Sequence, residues 1–487
     1  MFPTVKNVFK SKKKRCATVL FALTTICFNP LLSGVSAKVI TSSDGTTSSI
    51  QSAINSAVSG DTIRIPQGTF SFSGSVSLNA GISIIGTGTS STILRKSGSS
   101  ATPMFTINGS NGQRVSIGHF SMIGVTSSSS SVQDVGIRLN NCKDFDVQEM
   151  NFNNFGNAAI YVKGNSRGLV RECRFVDIYR PAIGSLGYGV VVYGDGSGAW
   201  SRPLDLGTEN AIYVEDCYFK NNRHAIASND GARYVFRYNT VMDNAGNFQE
   251  IDAHGREYGS SRGTRSYEIY NNTIDNSVRT SPYMIFISGG DGVIFNNSLL
   301  RGCTKNQISL ANRTDGSQSS TSYPAPDQTR KLYVWDNTDA AGKNVGVSIR
   351  SGHESFFKPG RDFFLESMPG YTPYTYPHPL SIQNTPVAIA EMSSPALSST
   401  LQNKTGVTGY IPGKSIRYFM SEPGIVRLSV HDLNGKTVEV LLNKAQSTGS
   451  YEYSFDSGNA KSFAAAKYVF RLSLGSQTFS FPGNTAF

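Results

Sequence analysis

Residues 223–273 read RHAIASNDGARYVFRYNTVMDNAGNFQEIDAHGREYGSSRGTRSYEIYNNT, and two strand-like phrases alternate along them. An Asn-bearing phrase at 233–240 returns at 265–273, and a phrase ending in polar residues at 224–231 returns at 249–255. Self-similarity at short range is the mark of stacked repeats, in which each unit buries its apolar face only against its neighbours.

The register extends in both directions. The hexapeptides VQEMNF, VRECRF, VEDCYF, FRYNTV, IYNNTI, IFNNSL and VWDNTD align so that one position is held by Met150, Cys173, Cys217, Asn239, Asn272, Asn297 and Asn337. The successive separations are 23, 44, 22, 33, 25 and 40 residues, which describes a rung of about 22 residues interrupted by insertions. Four Asn and two Cys in one column predict an internal ladder, with stacked amides hydrogen-bonded along the axis. Upstream, Ile50, Ala53, Ile54, Ala57 and Val58 fall on one face of a short helix, placed to cover the first open coil.

Between residues 38 and 380 the chain resembles the right-handed parallel β-helix proteins of the pectate-lyase-like superfamily. The resemblance rests on the opening IQSAINSAVSGDTIRIPQGTF (50–70), the YNN-type ladder phrases and the closing YTPYTYPHPL (371–380). It implies an all-β, right-handed parallel β-helix of three sheets, with a polysaccharide groove along one side. The superfamily holds lyases, hydrolases, esterases and noncatalytic adhesins, so the resemblance does not select one reaction.

The insertions locate a site. They follow VVVYG (about Asp195 to Asn210), IDAHG (about Arg256 to Thr264) and ISLANR (about Thr314 to Lys331), so all three are expected to rise from one edge of the cylinder. A rigid strand floor beside loop walls is where binding groups gather. In QEIDAHG, Ile251 and Ala253 are expected to point inward, leaving Glu250, Asp252 and His254 on the outer face. The candidate catalytic residues are Asp252, His254, Arg265 and His224. Candidate substrate-binding residues are Glu250, Arg256, Arg262 and Asp230, with Tyr193 and Trp200 as stacking platforms. Taken singly, each has a structural explanation; their convergence at the insertions is what favours function.

Two chemistries fit such a cluster. A uronate lyase removes the proton α to a carboxylate and expels the glycosidic oxygen, which needs a base and positive charge. His254 or an Arg of the 256–265 loop supplies the base, and Arg265 or a calcium ion held by Glu250, Asp252, Asp230 and Asp291 the charge. A glycoside hydrolase needs two carboxylic groups flanking the bond, and Asp252 with Glu250 or Asp230 is the available pair. The arginine-rich loop favours the lyase. A noncatalytic glycan-binding β-helix is the third reading, disfavoured by the Glu-x-Asp-x-His file. IDAHG lacks the Gly-His-Gly arrangement of polygalacturonase-like hydrolases, and the calcium-Asp and Arg pattern of pectate lyases is absent.

The rest of the chain concerns address and attachment. Residues 1–37 carry Lys6, Lys10, Lys12, Lys13, Lys14 and Arg15, then an apolar run from Ala17 to Leu32 and Val35-Ser36-Ala37, the pattern of a secretory signal peptide. Its removal lowers the formal charge from +11 to +5. That charge is too mild and dispersed for a nucleic-acid partner. Of six Cys, two leave with this segment and the rest lack the spacing of a disulfide scaffold or zinc site. Residues 381–403 read as a Ser-, Thr-, Ala- and Pro-rich linker, and 404–487 as a small β-sandwich with Asn434-Gly435 as a hairpin turn. This last segment resembles the sorting modules of type IX secretion cargo, on VHDLNGK (430–436), GSY (449–451) and AKYVFRL (466–472); here Ala-Lys stands where small-Gly is usual. The resemblance implies a secreted or surface-attached bacterial protein, partnered through this module by the export and outer-membrane attachment machinery. The expectation is a monomer acting on a polysaccharide.

Overall fold

The computed structural model describes residues 37–382 apart from 80, 110–111, 128–129, 244–247, 257–259 and 314–321. It further describes 406–483 apart from 412–414, 422, 432–436, 455–467 and 475–476. The expected signal segment (but for Ala37), the linker beyond Ile382 and the Asn434-Gly435 turn lie outside the described residues.

The rung repeat winds into a right-handed parallel β-helix of three sheets. Sheet I, which includes strand Arg233–Arg237, has twelve strands, and sheets II and III, which include strands Thr240–Met242 and Ile251–Ala253 respectively, have ten each. Every pair within the three sheets is parallel, and the chain visits sheets I, II and III in turn on each coil. Inward-facing Ile, Val, Leu and Phe side chains merge into one continuous core from Ile50 to Phe363. Each coil shields its apolar face only by lying on the next, so register between coils is the critical variable.

One corner fixes that register. Asn239, Asn272, Asn297 and Asn337 lie buried where sheet I passes to sheet II. The Nδ2 of Asn239 donates to Oδ1 of Asn272 (3.2 Å), Asn272 to Asn297 (2.9 Å), and Asn297 to Asn337 (2.7 Å). Each Oδ1 also accepts the backbone N–H of the preceding rung, from Cys217, Asn239, Asn272 and Asn297 in turn. Cys173 and Cys217 are free, buried thiols in the same column. The residue before each ladder position turns with positive φ, from 47° at Glu149 to 58° at Tyr238 and Asn271. Asn and Asp tolerate that conformation best, which explains the recurring Asn-Asn and Asp-Asn pairs.

The N-terminal cap is the helix Thr47–Asn55, with the Thr46 side chain accepting from Ser49 N and with Ile50, Ala53 and Ile54 buried. Its expected apolar face is too long: the helix ends before Val58, which is half exposed. At the other end, residues 368–380 fold back as a strap over the outer face of sheet I. Met368, Tyr371, Tyr374 and Leu380 pack against Leu169, Tyr213, Val235, Tyr270, Val293 and Phe295. Beneath the strap, the buried pair Arg237–Glu215 (2.6 Å) is satisfied by strap backbone: Arg237 donates to the carbonyls of Tyr374 and Thr375, and Glu215 accepts from His378 N.

The C-terminal residues form two antiparallel sheets, one of three strands and one of four, with strands of both contributing to a separate core of Ile416, Tyr418, Met420, Val426, Leu428, Val430, Phe470, Leu472 and Leu474. This is the expected small sandwich. Among the described residues no helix is long and apolar enough to cross a membrane.

Asn272→Ala removes one amide from the middle of the ladder, leaves the buried Asn239 N–H without its acceptor, and reduces the Asn297 Oδ1 to the backbone N–H of residue 272 as its donor from that rung. Stranding a buried polar group of this kind costs about 1–3 kcal/mol, and a lowered midpoint of chemical denaturation checks it.

Candidate functional site

The long loops leave two corners. As expected, those at 194–211, 254–265 and 311–331 connect sheet III to sheet I. A second set, 177–187 and 243–250, connects sheet II to sheet III. The separations of 44 and 33 residues each sum one loop of both kinds, so the sequence assigned the whole excess to one wall where there are two. Arg180 pins the second wall: it pairs with buried Asp134 (2.8 Å) and donates to the carbonyls of Val125, Val132 and Asn154.

Between the walls, on the outer face of sheet III, lies a trough of about 350 Å³. Its lining includes Tyr188, Tyr193, Arg223, Gln249, Asp252, His254 and Arg313. Ile251 and Ala253 enter the core, as alternation requires, and turn Asp252 outward. There Asp252 Oδ2 accepts from His254 Nε2 (2.7 Å) and from the Gln249 side-chain amide. The Asp252 side chain is 1% exposed and that of His254 is 14% exposed. Burial opposes ionisation of Asp252, but the charge and hydrogen bond of His254, with His224 and Arg313, outweigh it and hold the carboxyl below its usual range.

His224 lies behind this pair. It is fully buried, between the rings of Tyr188 (5.5 Å) and Phe248 (6.1 Å). Its Nδ1 donates to the Gln249 carbonyl (2.5 Å), and its Nε2 sits 4.0 Å from Asp252 Oδ2. Burial and then Arg223 push its pKa down to about 3, so the ring is neutral, its one proton is on Nδ1, and Nε2 offers the carboxylate no donor.

The remaining sequence candidates are dispersed. Glu250 is fully buried and bonds Asn276 and Ser281 inside the corner between sheets II and III, away from the trough. The strand begins only at Ile251, so period-two alternation does not reach Glu250. Asp230 accepts from Ser261 Oγ (2.7 Å) and Arg262 N. Trp200 is built into the wall: its indole N–H donates to the Gly263 carbonyl, and Arg262 and Arg265 flank its ring at 4.5 and 5.0 Å. Arg262 is further clamped on both oxygens of Asp327, and Arg265 faces Asp291 at 3.9 Å. Arg256 lines a separate hollow with Trp200, Arg262 and Arg330 and does not line the trough. Only Tyr193, Asp252 and His254 of the candidates line the trough, with His224 directly beneath.

Sequence reasoning missed Tyr188, Arg223, Gln249 and Arg313. Arg223 donates to Tyr188 Oη (3.1 Å) and lies 4.6 Å from the Phe248 ring centre. Arg313 stands over Phe286 at 5.8 Å. The first three cluster at the corner between sheets II and III: Gln249 is in the 243–250 loop, Tyr188 opens the strand that follows 177–187, and Arg223 immediately precedes the strand that starts at His224. The four carboxylates considered as calcium ligands occupy separate bonding sites, and among the described residues no three His, Cys, Asp or Glu side chains converge on one metal position. A smaller cavity, of about 210 Å³, sits beneath the 194–211 loop. Its arginines are engaged, Arg202 with Asp195, Arg167 with Asp144 and Glu209, and Arg233 with four carbonyls.

A family model described as rhamnogalacturonase A/epimerase, pectate lyase-like, matches residues 39–249, ending just before Asp252. Among solved structures the chain is similar to an alginate lyase from Paenibacillus sp. str. FPU-7 (13% identity, 65% of this chain and 98% of that chain, TM-score 0.43). It is also similar to a family 28 exopolygalacturonase of Yersinia enterocolitica (13% identity, 65% and 79%, TM-score 0.39). A third likeness is to the A-module of the mannuronan C-5 epimerase AlgE6 of Azotobacter vinelandii (14% identity, 63% and 87%, TM-score 0.40). A search of curated proteins found no match.

The neutral state of His224 fixes the sign of a pH effect. Below pH 6.5 the unfolded chain protonates this imidazole while the native state refuses the proton until about 3. Stability therefore falls on acidification through that window, by up to about 1.4 kcal/mol per pH unit from this group. Loss of the Asp252 carboxylate charge at still lower pH acts in the same direction. Melting temperatures measured between pH 7 and 4 are expected to fall less steeply for His224→Gln than for the parent.

Proposed function

We propose that the protein is an exported enzyme that cleaves an extracellular polysaccharide containing uronic acid, pectin-like in character, by β-elimination in the sheet III trough. The observation that carries this reading is the charge pattern of the trough: one carboxylate bound to an imidazole, with guanidinium groups at Arg223 and Arg313 on either wall. Hydrolysis by paired carboxylic groups is less well served, because Glu250 and Asp230, the partners Asp252 would need, are held elsewhere. The family-model match over residues 39–249 is in keeping with a polysaccharide as substrate.

In this mechanism Asp252 orients His254, and His254 takes the proton α to the substrate carboxylate. Arg313 and Arg223 offset the charge that develops on that carboxylate. As the carbon–carbon double bond forms, the glycosidic carbon–oxygen bond breaks and the departing oxygen takes a proton. Tyr188 and Tyr193 are suited to supply it, since burial raises both phenols, Tyr188 to about 12, and keeps them protonated. No step is routed through calcium. The reading places the protein outside the cell, exported through residues 1–37 and attached or sorted through residues 404–487.

The test is incubation with plant and algal polyuronates, with and without chelator, following ultraviolet absorbance and reducing ends together. Both signals are expected to rise, and His254→Ala is expected to lower kcat by a factor of about 10² to 10⁴, with a lowered melting temperature from the Asp252 carboxylate left without its imidazole but an unchanged far-ultraviolet circular dichroism spectrum of the native fold. Reducing ends without absorbance would move the assignment to hydrolysis, and silence on both across a broad panel would favour a noncatalytic glycan-binding surface.

A further inference from the structure

The outward file that carries Asp252 continues well past the trough. Arg138, Tyr161, Val191, Ala227 and Asp252 are in-register partners on successive strands of sheet III. At the usual spacing between strands, four steps separate Arg138 from Asp252 by about 19 Å. Between them Val191 and Ala227 form a low apolar floor bordered by tyrosines. The rings of Tyr161 and Tyr193 stack at 5.4 Å and 1°, and the Arg138 guanidinium stands over Tyr161 at 5.1 Å.

Arg138 differs from the arginines of the sheet III to sheet I loops that face carboxylates in what its charge meets. Arg262, Arg265 and Arg202 all face aspartates. Arg138 is half-buried and its Nε is buried without a hydrogen-bond partner. Among the described residues no carboxylate pairs with it. A guanidinium partly withdrawn from water and held against an aromatic face, with no anion beside it, is primed to take a planar anion in two hydrogen bonds.

We infer that Arg138, with Tyr161 and Tyr193 as a stacking platform, is a remote subsite that binds the carboxylate of a sugar unit several residues along the chain from the one that reacts at His254. The polymer then lies parallel to the cylinder axis over the Val191–Ala227 floor. This inference rests on the acidic-polysaccharide reading above, and it adds that the protein measures chain length.

Calorimetric titration of the full chain carrying His254→Ala, with polygalacturonate and alginate oligomers fractionated by length, tests it. Affinity is expected to climb with length until an oligomer spans from the trough to Arg138. Adding Arg138→Ala should lower affinity for the long oligomers by about tenfold and flatten the length dependence, and Arg138→Lys should recover part of it. Unchanged length dependence in Arg138→Ala overturns the subsite, and leaves the proposed reaction standing if the parent enzyme still cleaves. An equal loss at every length with a lowered melting temperature overturns it too, by showing a structural role. If the parent neither binds nor cleaves either polymer, the subsite and the proposed function fail together.

Discussion

Everything in the β-helix depends on successive coils stacking without slippage, and the buried amide column does most to enforce this. In a parallel stack, apolar side chains alone tolerate a shift by two residues, since Ile, Val and Leu recur at alternate positions. The column does not: each Asn side chain bonds both the amide side chain and the backbone N–H of an adjoining rung. A shift would leave several of these groups buried and unpaired, which is expensive in a dry interior. The alignment of Arg138 with Asp252 across four strands is a consequence of that constraint.

The trough shows how such order is turned to chemistry. A carboxylate that is almost wholly buried stays charged because the His254 imidazole bound to it and the Arg313 guanidinium favour the anion. The opposing terms are burial and attraction, and here attraction is the larger. The walls are fixed by similar means, through Arg180 on one side and the Trp200–Arg262–Asp327 assembly on the other. Loop residues with so many partners hold their shape, which favours a preorganised site over one assembled by closure.

Much of the fold was legible because the repeat is written in chemically distinct letters. The Asn and Cys column, the capping helix and the position of one loop wall all follow from spacing. The site was legible only in part. Asp252 and His254 lie on or beside a regular strand, where alternation predicts direction, whereas Glu250 sits at a corner, where the backbone turns and the rule lapses, and His224, at the first residue of its strand, is covered by Phe248 of the neighbouring loop. Arg262, Arg265 and Trp200 are polar or aromatic loop residues of the kind that binds sugars, yet their strongest partners are one another and neighbouring loops. Arg223, Gln249 and Tyr188 became visible only when the corner between sheets II and III was located in space, and Arg313 sits at the start of the 311–331 loop, just before the insertion that the spacing marks.

The strap of residues 368–380 changes how the molecule comes apart. A solenoid held by contacts between neighbours can fray from either end, one coil at a time. Here the Arg237 guanidinium and the Glu215 carboxylate, in the middle of the stack, are satisfied by backbone 137 to 163 residues further along the chain, and Arg114 reaches the carbonyl of Leu380 across 266 residues. Loss of the last coils would uncover a buried ion pair at the centre, so damage at one end is felt along the length. The strap acts as a lashing that makes the rod fail as a whole instead of unravelling from its ends.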